Sequence, residues 1–358
     1  MTKREAQILE WIRENPLISQ QEIARRANIT RSSAAVHISN LMKKGKIAGK
    51  GYIVKDSSYI TVIGAVNVDI LGTSLQPLVG KDSNPGQVRY SFGGVGRNIA
   101  DNLSRLAFPV ELITVLGDDV YAQELRKQCT GLGIHLTHAM TLPNHNTSTY
   151  LCINDVHGEM QLAVSDMEIY KELTPEYLKT KLDVINRSSV VVIDTNLSQE
   201  AIGYLMEQVT APIFVDPVST NKAKKLIPYL SKIHTIKPNL LEMQLLTDTT
   251  IQHDDDLAAA AQILLDKGMK QIFVSLGSKG VYYANAQEGQ HLPNLPSNLV
   301  NTTGCGDAFM AGAIYAYEQD LPIRQQALYG LGAAAICAES SGAIAENLAP
   351  ALIEQRVQ

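Results

Sequence analysis

Residues Asn301 to Met310 run N-T-T-G-C-G-D-A-F-M, and their types and spacing suit phosphoryl chemistry. Gly304 and Gly306 permit close backbone approach, so the N–H groups of Gly304, Cys305 and Gly306 can point at one spot at the start of an expected helix. Fixed donors at a helix N-terminus make an anion site. Asp307 sits one residue further, in the first helical turn. A carboxylate repels a plain anionic ligand. It fits if the anion is a phosphoryl group in transit and Asp307 takes the proton of the attacking hydroxyl. The alternative is a glycine-rich strand-to-helix turn in which Asp307 stabilises the helix dipole.

Other stretches could complete such a site. Asn67 and Asp69 close the apolar run Tyr59–Ile70, expected as one buried strand, and polar residues at a strand end mark the ligand side of an α/β sheet. The pair could hold vicinal sugar hydroxyls, or could form a turn. Gly93 to Asn98, G-G-V-G-R-N, opens a helix. Backbone approach at Gly93 and Gly94 with Asn98 facing inward suits a polyhydroxyl ligand, and the third glycine of a dinucleotide fingerprint is missing. Lys222, close behind Asp216-Pro217-Val218-Ser219, could steady phosphate charge or be a solvated lysine. Asn239 and Glu242 lie three apart at a helix start, either holding magnesium through waters or forming a cap with a solvated Glu. Ser275, Gly277 and Gly280 read as a strand and tight turn over which a nucleotide could lie. Ala333 to Ser341 is a small-residue helix, which permits close packing or leaves a slot for a flat base.

The elements around these residues alternate. Strands are expected at Val110–Leu116, Val190–Asp194, Ile213–Asp216, Ile233–Lys237 and Gln271–Leu276, with helices at Tyr121–Leu132 and Leu257–Lys267. Such alternation predicts an α/β fold, a largely parallel sheet with helices on both faces. A hairpin at Thr147–Ile153 and Met160–Val164, with the segment Leu71–Phe92, breaks the pattern and is expected as a small separate β lid, roughly residues 71–92 and 147–165.

The chain has 358 residues, enough for two domains, and its net charge of −5 is unevenly spread. Residues 1–56 hold 11 Lys/Arg against 5 Asp/Glu, a balance of +6, whereas the remainder holds 20 against 31, a balance of −11. A basic head on an acidic body suggests that the head alone meets a polyanion. Three helices are expected there, Lys3–Glu14, one after the capping-box pattern Ser19–Glu22, and one from Thr30 to about Lys44, followed by a hairpin over Lys46–Val54. That order is similar to a winged helix-turn-helix domain over residues 1–56, with DNA as partner. Arg31, Ser32, Ser33 and His37 would reach bases or phosphates from the third helix, and Lys50 phosphates from the wing. No apolar run is as long as a membrane span, the N-terminus has no leader pattern, and the four cysteines form no C-x-x-C pair. A cytoplasmic setting without membrane contact is expected.

Gly93-Gly94 with Asn98, Asn239 with Glu242, the Ser275 turn and T-G-C-G-D at 303–307 occur in the order found in the ribokinase-like (PfkB) carbohydrate kinases, which the chain resembles from about residue 59 to 350. There is no Walker motif. Within that family it is most similar to pseudouridine kinases, on S-N-P-G ahead of G-G-V-G-R-N-I-A, N-T-S-T-Y at 146–150, S-D-M at 165–167, V-D-P-V-S at 215–219 and H-T-I-K-P-N-L-L-E at 234–242. The resemblance implies ATP with Mg2+ over the Ser275–Gly280 turn, Asn239 and Glu242 near the metal, and an anion hole at Gly304–Gly306. Asp307 would deprotonate the 5′-hydroxyl of a nucleoside positioned by Asn67, Asp69, Gly93, Gly94 and Asn98. Thr149 and Asp166 would read the uracil edge. Ribose, fructose or adenosine are other acceptors open to this fold, and a body that only senses a nucleoside for a transcription regulator is a further alternative. Asn301 stands where many relatives have Asp, so a monovalent cation there would have only backbone carbonyls and no side-chain charge to hold it, and Cys305 stands where Ala is common. A homodimer is expected, because relatives often pair through the lid and winged helices often bind DNA as pairs.

Overall fold

The computed structural model describes residues 1–47 and 59–358. Its backbone contacts fall into two compact units, Met1–Ser58 and Tyr59–Gln358.

The first unit holds helices Lys3–Glu14, Gln20–Ala27 and Arg31–Lys43. Thr2 and Glu5 form a reciprocal capping box on the first helix. Ser19 caps the second by accepting from Glu22 N, but the Glu22 carboxylate turns to Arg25 and Arg26, so only half of the expected box forms. Asn28, left-handed at φ 51°, ends that helix, and Thr30 caps the third. Ile8, Ile12, Ile23, Ala34, Ile38 and Leu41 close a small core. The expected hairpin, with Lys50, lies outside the described residues from position 48 onward.

The second unit is built on a nine-stranded sheet in the order Gly289–Leu292, Val281–Asn285, Gln271–Ser275, Thr235–Ile236, Ile213–Asp216, Val190–Asp194, Ile60–Ile63, Val110–Ile113, Ile134–His135. The seven strands from Gln271–Ser275 to Ile134–His135 are parallel, and Val281–Asn285 and Gly289–Leu292 are added at one edge by two antiparallel pairings. Apolar cores lie on both faces. From Ile60–Ile63 the chain first builds outward to one side, through Val110–Ile113, and later to the other, through Val190–Asp194. Strand order therefore reverses there, and the crevice beyond the C-terminal strand ends at such a reversal is where doubly wound sheets take ligands.

The run Tyr59–Ile70 is two strands, not one. Ile60–Ile63 belongs to the main sheet, and Asn67–Ser74 opens a second sheet with Gly86–Gly93, Thr149–Asn154 and Met160–Asp166. The break at Gly64–Val66 has a tertiary cause: Ala65 N donates to the buried Asp194 carboxylate, and the Tyr170 hydroxyl bonds both N and O of Val66. These backbone groups are thereby withdrawn from any ladder. Asn67 and Asp69 thus begin a lid strand rather than ending a core strand. Val110–Leu116 is likewise split at Thr114, its last two residues pairing with Met140–Thr141.

Candidate active site

Successive parallel strands of the main sheet end in polar residues. Asp194 closes Val190–Asp194, Asp216 closes Ile213–Asp216, Lys237 follows Thr235–Ile236, and Ser275 closes Gln271–Ser275. Asp194 Oδ2 accepts from Ala65 N at 2.6 Å and Gly96 N at 3.0 Å, which holds the Gly93–Asn98 turn against the sheet. Lys237 Nζ lies 3.0 Å from Asp216 Oδ2, both side chains less than a tenth exposed. Burial works against the lysine charge, but Asp216, Asp307 and Glu242 outweigh it and hold the ammonium above its ordinary range.

Across from this row, the helix Cys305–Glu318 starts at Gly304, whose φ is 81°. A Cβ there would sit 2.0 Å from Ala343 O, so glycine is required twice over, by conformation and by space. A Cβ on Gly306 would stand 3.1 Å from Lys237 Nζ, which places the ammonium against the glycine loop. Asp307 follows, buried, and Asn98 Nδ2 donates to its Oδ2 at 2.8 Å. Burial first, then the charge of Asp216, pushes Asp307 up to about 7, against the opposing pull of Asn98 and Lys237. A carboxylate acts as a base only when ionised, so acceptor kcat/KM is expected to fall about tenfold per pH unit below about 7 and to level off above it. A flat profile down to pH 5.5 would remove Asp307 from that role.

Beside the loop lies a cavity of about 520 Å³. Four of the five expected nucleotide residues, Asn239, Ser275, Gly277 and Gly280, line it together with Cys305 and Gly306. Lys222 does not; its ammonium bonds Asn196 Oδ1, and the lysine on the cavity wall is Lys237. The small-residue helix runs from Ile323 to Ala338 and does both things its composition allows. Gly330 and Ala333 face Phe309 and Gly312 of the neighbouring helix, while Ala334, Ala335 and Ala338 leave a flat apolar wall. The Cys305 thiol is lowered, chiefly by a hydrogen bond with Cys337, against the effect of burial.

On the opposite side, Asn67 Nδ2 donates to Asp69 Oδ1, and a Cβ on Gly93 would collide with the Asp69 carboxylate. The lid thus brings Asn67, Asp69 and Gly93 together, and a second, more open cavity of about 720 Å³ has Asp69, Ser91, Arg97 and Asp101 on its walls. Thr149 pairs with Val68 and Asp166, whereas Asp69 pairs with Ser91 and Tyr150, and Tyr150 with Ser165. Side chains alternate across a strand, so Tyr150 and Ser165 share the face of Asp69 and the expected base readers Thr149 and Asp166 point away from it.

Asn239 and Glu242 form a reciprocal capping box: Glu242 N donates to Asn239 Oδ1 and Asn239 N to Glu242 Oε2, each at 2.9 Å. Glu242 is buried, not solvated, and one oxygen of each residue is committed to the helix start. Among the described residues no cluster of three His, Cys, Asp or Glu could cage a metal. The donor set fits a magnesium ion carried mainly by phosphates and water, for which one carboxylate suffices. Asn301 ties two loops, its Oδ1 accepting from Thr303 N and its Nδ2 donating to Ser341 O.

In the head, Arg31, Ser32 and Ser33 are exposed at the start of the third helix, although Thr30 engages both serine hydroxyls. His37 differs: its Nδ1 is buried without a hydrogen-bond partner among the described residues.

A cavity of about 520 Å³, a glycine-rich helix start and a buried carboxylate bonded to Asn98, set on a mostly parallel sheet, match a phosphotransferase of the ribokinase-like α/β class. Residues 57–350 match the description "pfkB family carbohydrate kinase" and residues 1–48 match "winged helix-turn-helix DNA-binding". The chain belongs to the pfkB family and is an ATP-dependent sugar or nucleoside kinase. It is 38% identical to the uncharacterized sugar kinase YeiI of Escherichia coli over 96% of this chain and 95% of that one. It is 36% identical to the pseudouridine kinase of E. coli over 78% of this chain and 90% of that one. Among solved structures, a carbohydrate kinase from Agrobacterium tumefaciens superposes with a TM-score of 0.74 at 28% identity, covering 84% of this chain and 97% of that one. The ribokinase of Arabidopsis thaliana complexed with ribose and ATP gives 0.75 at 21%, covering 84% and 99%, a likeness of fold. No helix among the described residues is long and apolar enough to cross a membrane.

Proposed function

We propose that this chain transfers the γ-phosphoryl group of ATP to the 5′-hydroxyl of pseudouridine. The observation that carries the transfer is Asp307, buried at the glycine-rich start of its helix with the Lys237 ammonium beside the loop. In this reading ATP lies in the 520 Å³ cavity with its base against Ala334, Ala335 and Ala338. The acceptor ribose is held by Asn67, Asp69, Gly93, Gly94 and Asn98. Asp307 takes the hydroxyl proton as the oxygen attacks phosphorus and ADP departs. The N–H groups of Gly304, Cys305 and Gly306, with Lys237, hold the charge on the transferring oxygens. Magnesium, when bound, would neutralise phosphate charge near Asn239 and Glu242. The lid excludes water, which limits wasteful hydrolysis.

The choice of acceptor rests on the 36% identity to the E. coli pseudouridine kinase and on the shared motifs. On the lid, Tyr150 and Ser165 are the residues on the face of Asp69 that would meet the base. Weaker relatives include a guanosine-inosine kinase at 26% and a deoxyribokinase at 25% identity, so other nucleosides and sugars set the comparison. A panel of pseudouridine, uridine, adenosine, ribose and fructose with ATP is expected to give pseudouridine the highest kcat/KM. Good turnover of ribose with none of pseudouridine overturns this reading.

The head binds DNA in this proposal, through Arg31, Ser32 and Ser33. Pairing of two copies through the lid would put two heads in one assembly, so that one DNA could be bound twice. Val88, Met160, Leu162 and Val164 leave the lid strands with an unusually apolar solvent face, each more than half exposed. Leu162→Lys with Val164→Lys is expected to shift sedimentation from dimer to monomer and to weaken DNA retardation in gels at fixed salt. A wild-type monomer, or full DNA affinity in the double variant, counts against pairing.

A further inference from the structure

We propose that Arg97 is a positioning residue for phosphoryl transfer, fixing the Asn98 side chain so that its amide N–H faces Asp307. This rests on the proposed role of Asp307. An amide side chain has nearly the same shape with oxygen and nitrogen exchanged, so its neighbours decide which way it faces. Asn98 stands between a donor-only group and an acceptor-only group. Arg97 Nη1 reaches Asn98 Oδ1 at 3.4 Å, and on the other side Asn98 Nδ2 donates to Asp307 Oδ2 at 2.8 Å. With the amide reversed, its N–H2 would face a guanidinium and its oxygen a carboxylate, and both contacts would repel.

The guanidinium is itself held. Its Nη2 lies 2.9 Å from Asp101 Oδ2, and its Nη1 donates to Phe92 O at 3.3 Å, the residue that leads into Gly93-Gly94. Asp101 is fixed in turn by Arg105 Nε at 2.6 Å, and Arg105 Nη1 donates to Glu346 O. Arg97 and Asp101 side chains are 10% and 1% exposed, so the pairing is made where water competes little. Arg97, Asp101 and Arg105 recur every four residues on one helix, and the chain of contacts ends on the candidate base.

Asp307 faces Asp216 and Asp194 from the strand ends, Lys237 from the next strand, Cys337 from the small-residue helix and Asn98 from the helix Val95–Arg105. Of these, Asn98 and Lys237 favour the ionised form. Releasing the amide removes one of the two, so protonation should persist to higher pH.

The test compares wild type with Arg97→Lys and Arg97→Met. A lysine can keep the ion pair with Asp101, but one ammonium cannot also reach Asn98. If Arg97 were only a structural ion-pair partner, lysine would rescue it. Expected for Arg97→Lys is an unchanged Tm and ATP KM, a kcat lower by roughly tenfold, and an acid limb displaced upward by about one pH unit. Arg97→Met is expected to lose kcat similarly and to melt lower. Wild-type kcat and limb in Arg97→Lys overturn the proposal, and so does a lower kcat with an unmoved limb. The carboxyl 13C titration of Asp307, assigned with Asp307→Asn, reads the same displacement without any acceptor. An unmoved titration refutes the positioning role even where turnover is undetectable, whereas a wild type inert on every acceptor refutes only the proposed function.

Discussion

Asp307→Asn is expected to remain folded, to bind ATP and acceptor, and to transfer the phosphoryl group about three orders of magnitude more slowly. The substitution is nearly isosteric and leaves an oxygen to accept from Asn98, so the 2.8 Å contact can persist. What is lost is the carboxylate at the start of the helix itself, and an amide cannot take a proton at neutral pH. Positioning and charge stabilisation survive, which is why residual transfer remains. Calorimetric affinities near wild type with kcat reduced to that degree would match this account. A variant within tenfold of wild-type kcat would mean that water or another group takes the proton.

Lys237→Met is expected to cost about two to three orders of magnitude in kcat and to lower stability as well. Lys237 neutralises Asp216 at 3.0 Å and stands against Gly306, where an incoming phosphoryl oxygen would arrive. Removing one member of a buried pair leaves the other uncompensated, at a cost of about 3–5 kcal/mol. It also removes a charge that favours ionised Asp307, so the acid limb moves upward. The two consequences separate in the double variant Lys237→Met with Asp216→Asn. Denaturant unfolding should return most of the stability, and turnover should stay low. Recovery of kcat in the double variant would show that the lysine only balances Asp216.

Much of this body can be read along the chain. Val190–Asp194 and Ile213–Asp216 form where their apolar runs place them, and the Gly304–Asp307 motif opens a helix as its residues require. The features missed depend on which strand ends meet. Asp194, Asp216 and Lys237 each follow an apolar strand, and that pattern could have singled them out. Their convergence on Asp307, though, joins segments far apart in sequence. The same strand-end logic misplaced Asn67 and Asp69, because Asp194 and Tyr170 interrupt the ladder at Ala65–Val66 from positions more than a hundred residues away. Thr149 and Asp166 stand out only as parts of motifs, and a motif does not fix the side of a strand on which a residue falls.

Among the described residues the small core of the head gathers side chains from Ile8 to Ile47, whereas the candidate site gathers them from Asn67 to Asp307. The two halves therefore inherit change differently. One recombination event can exchange the reader for another, and a crossover inside the other half parts groups that work only in company. Under the proposed function, descendants would acquire new DNA sites by shuffling, but new acceptors only by gradual substitution.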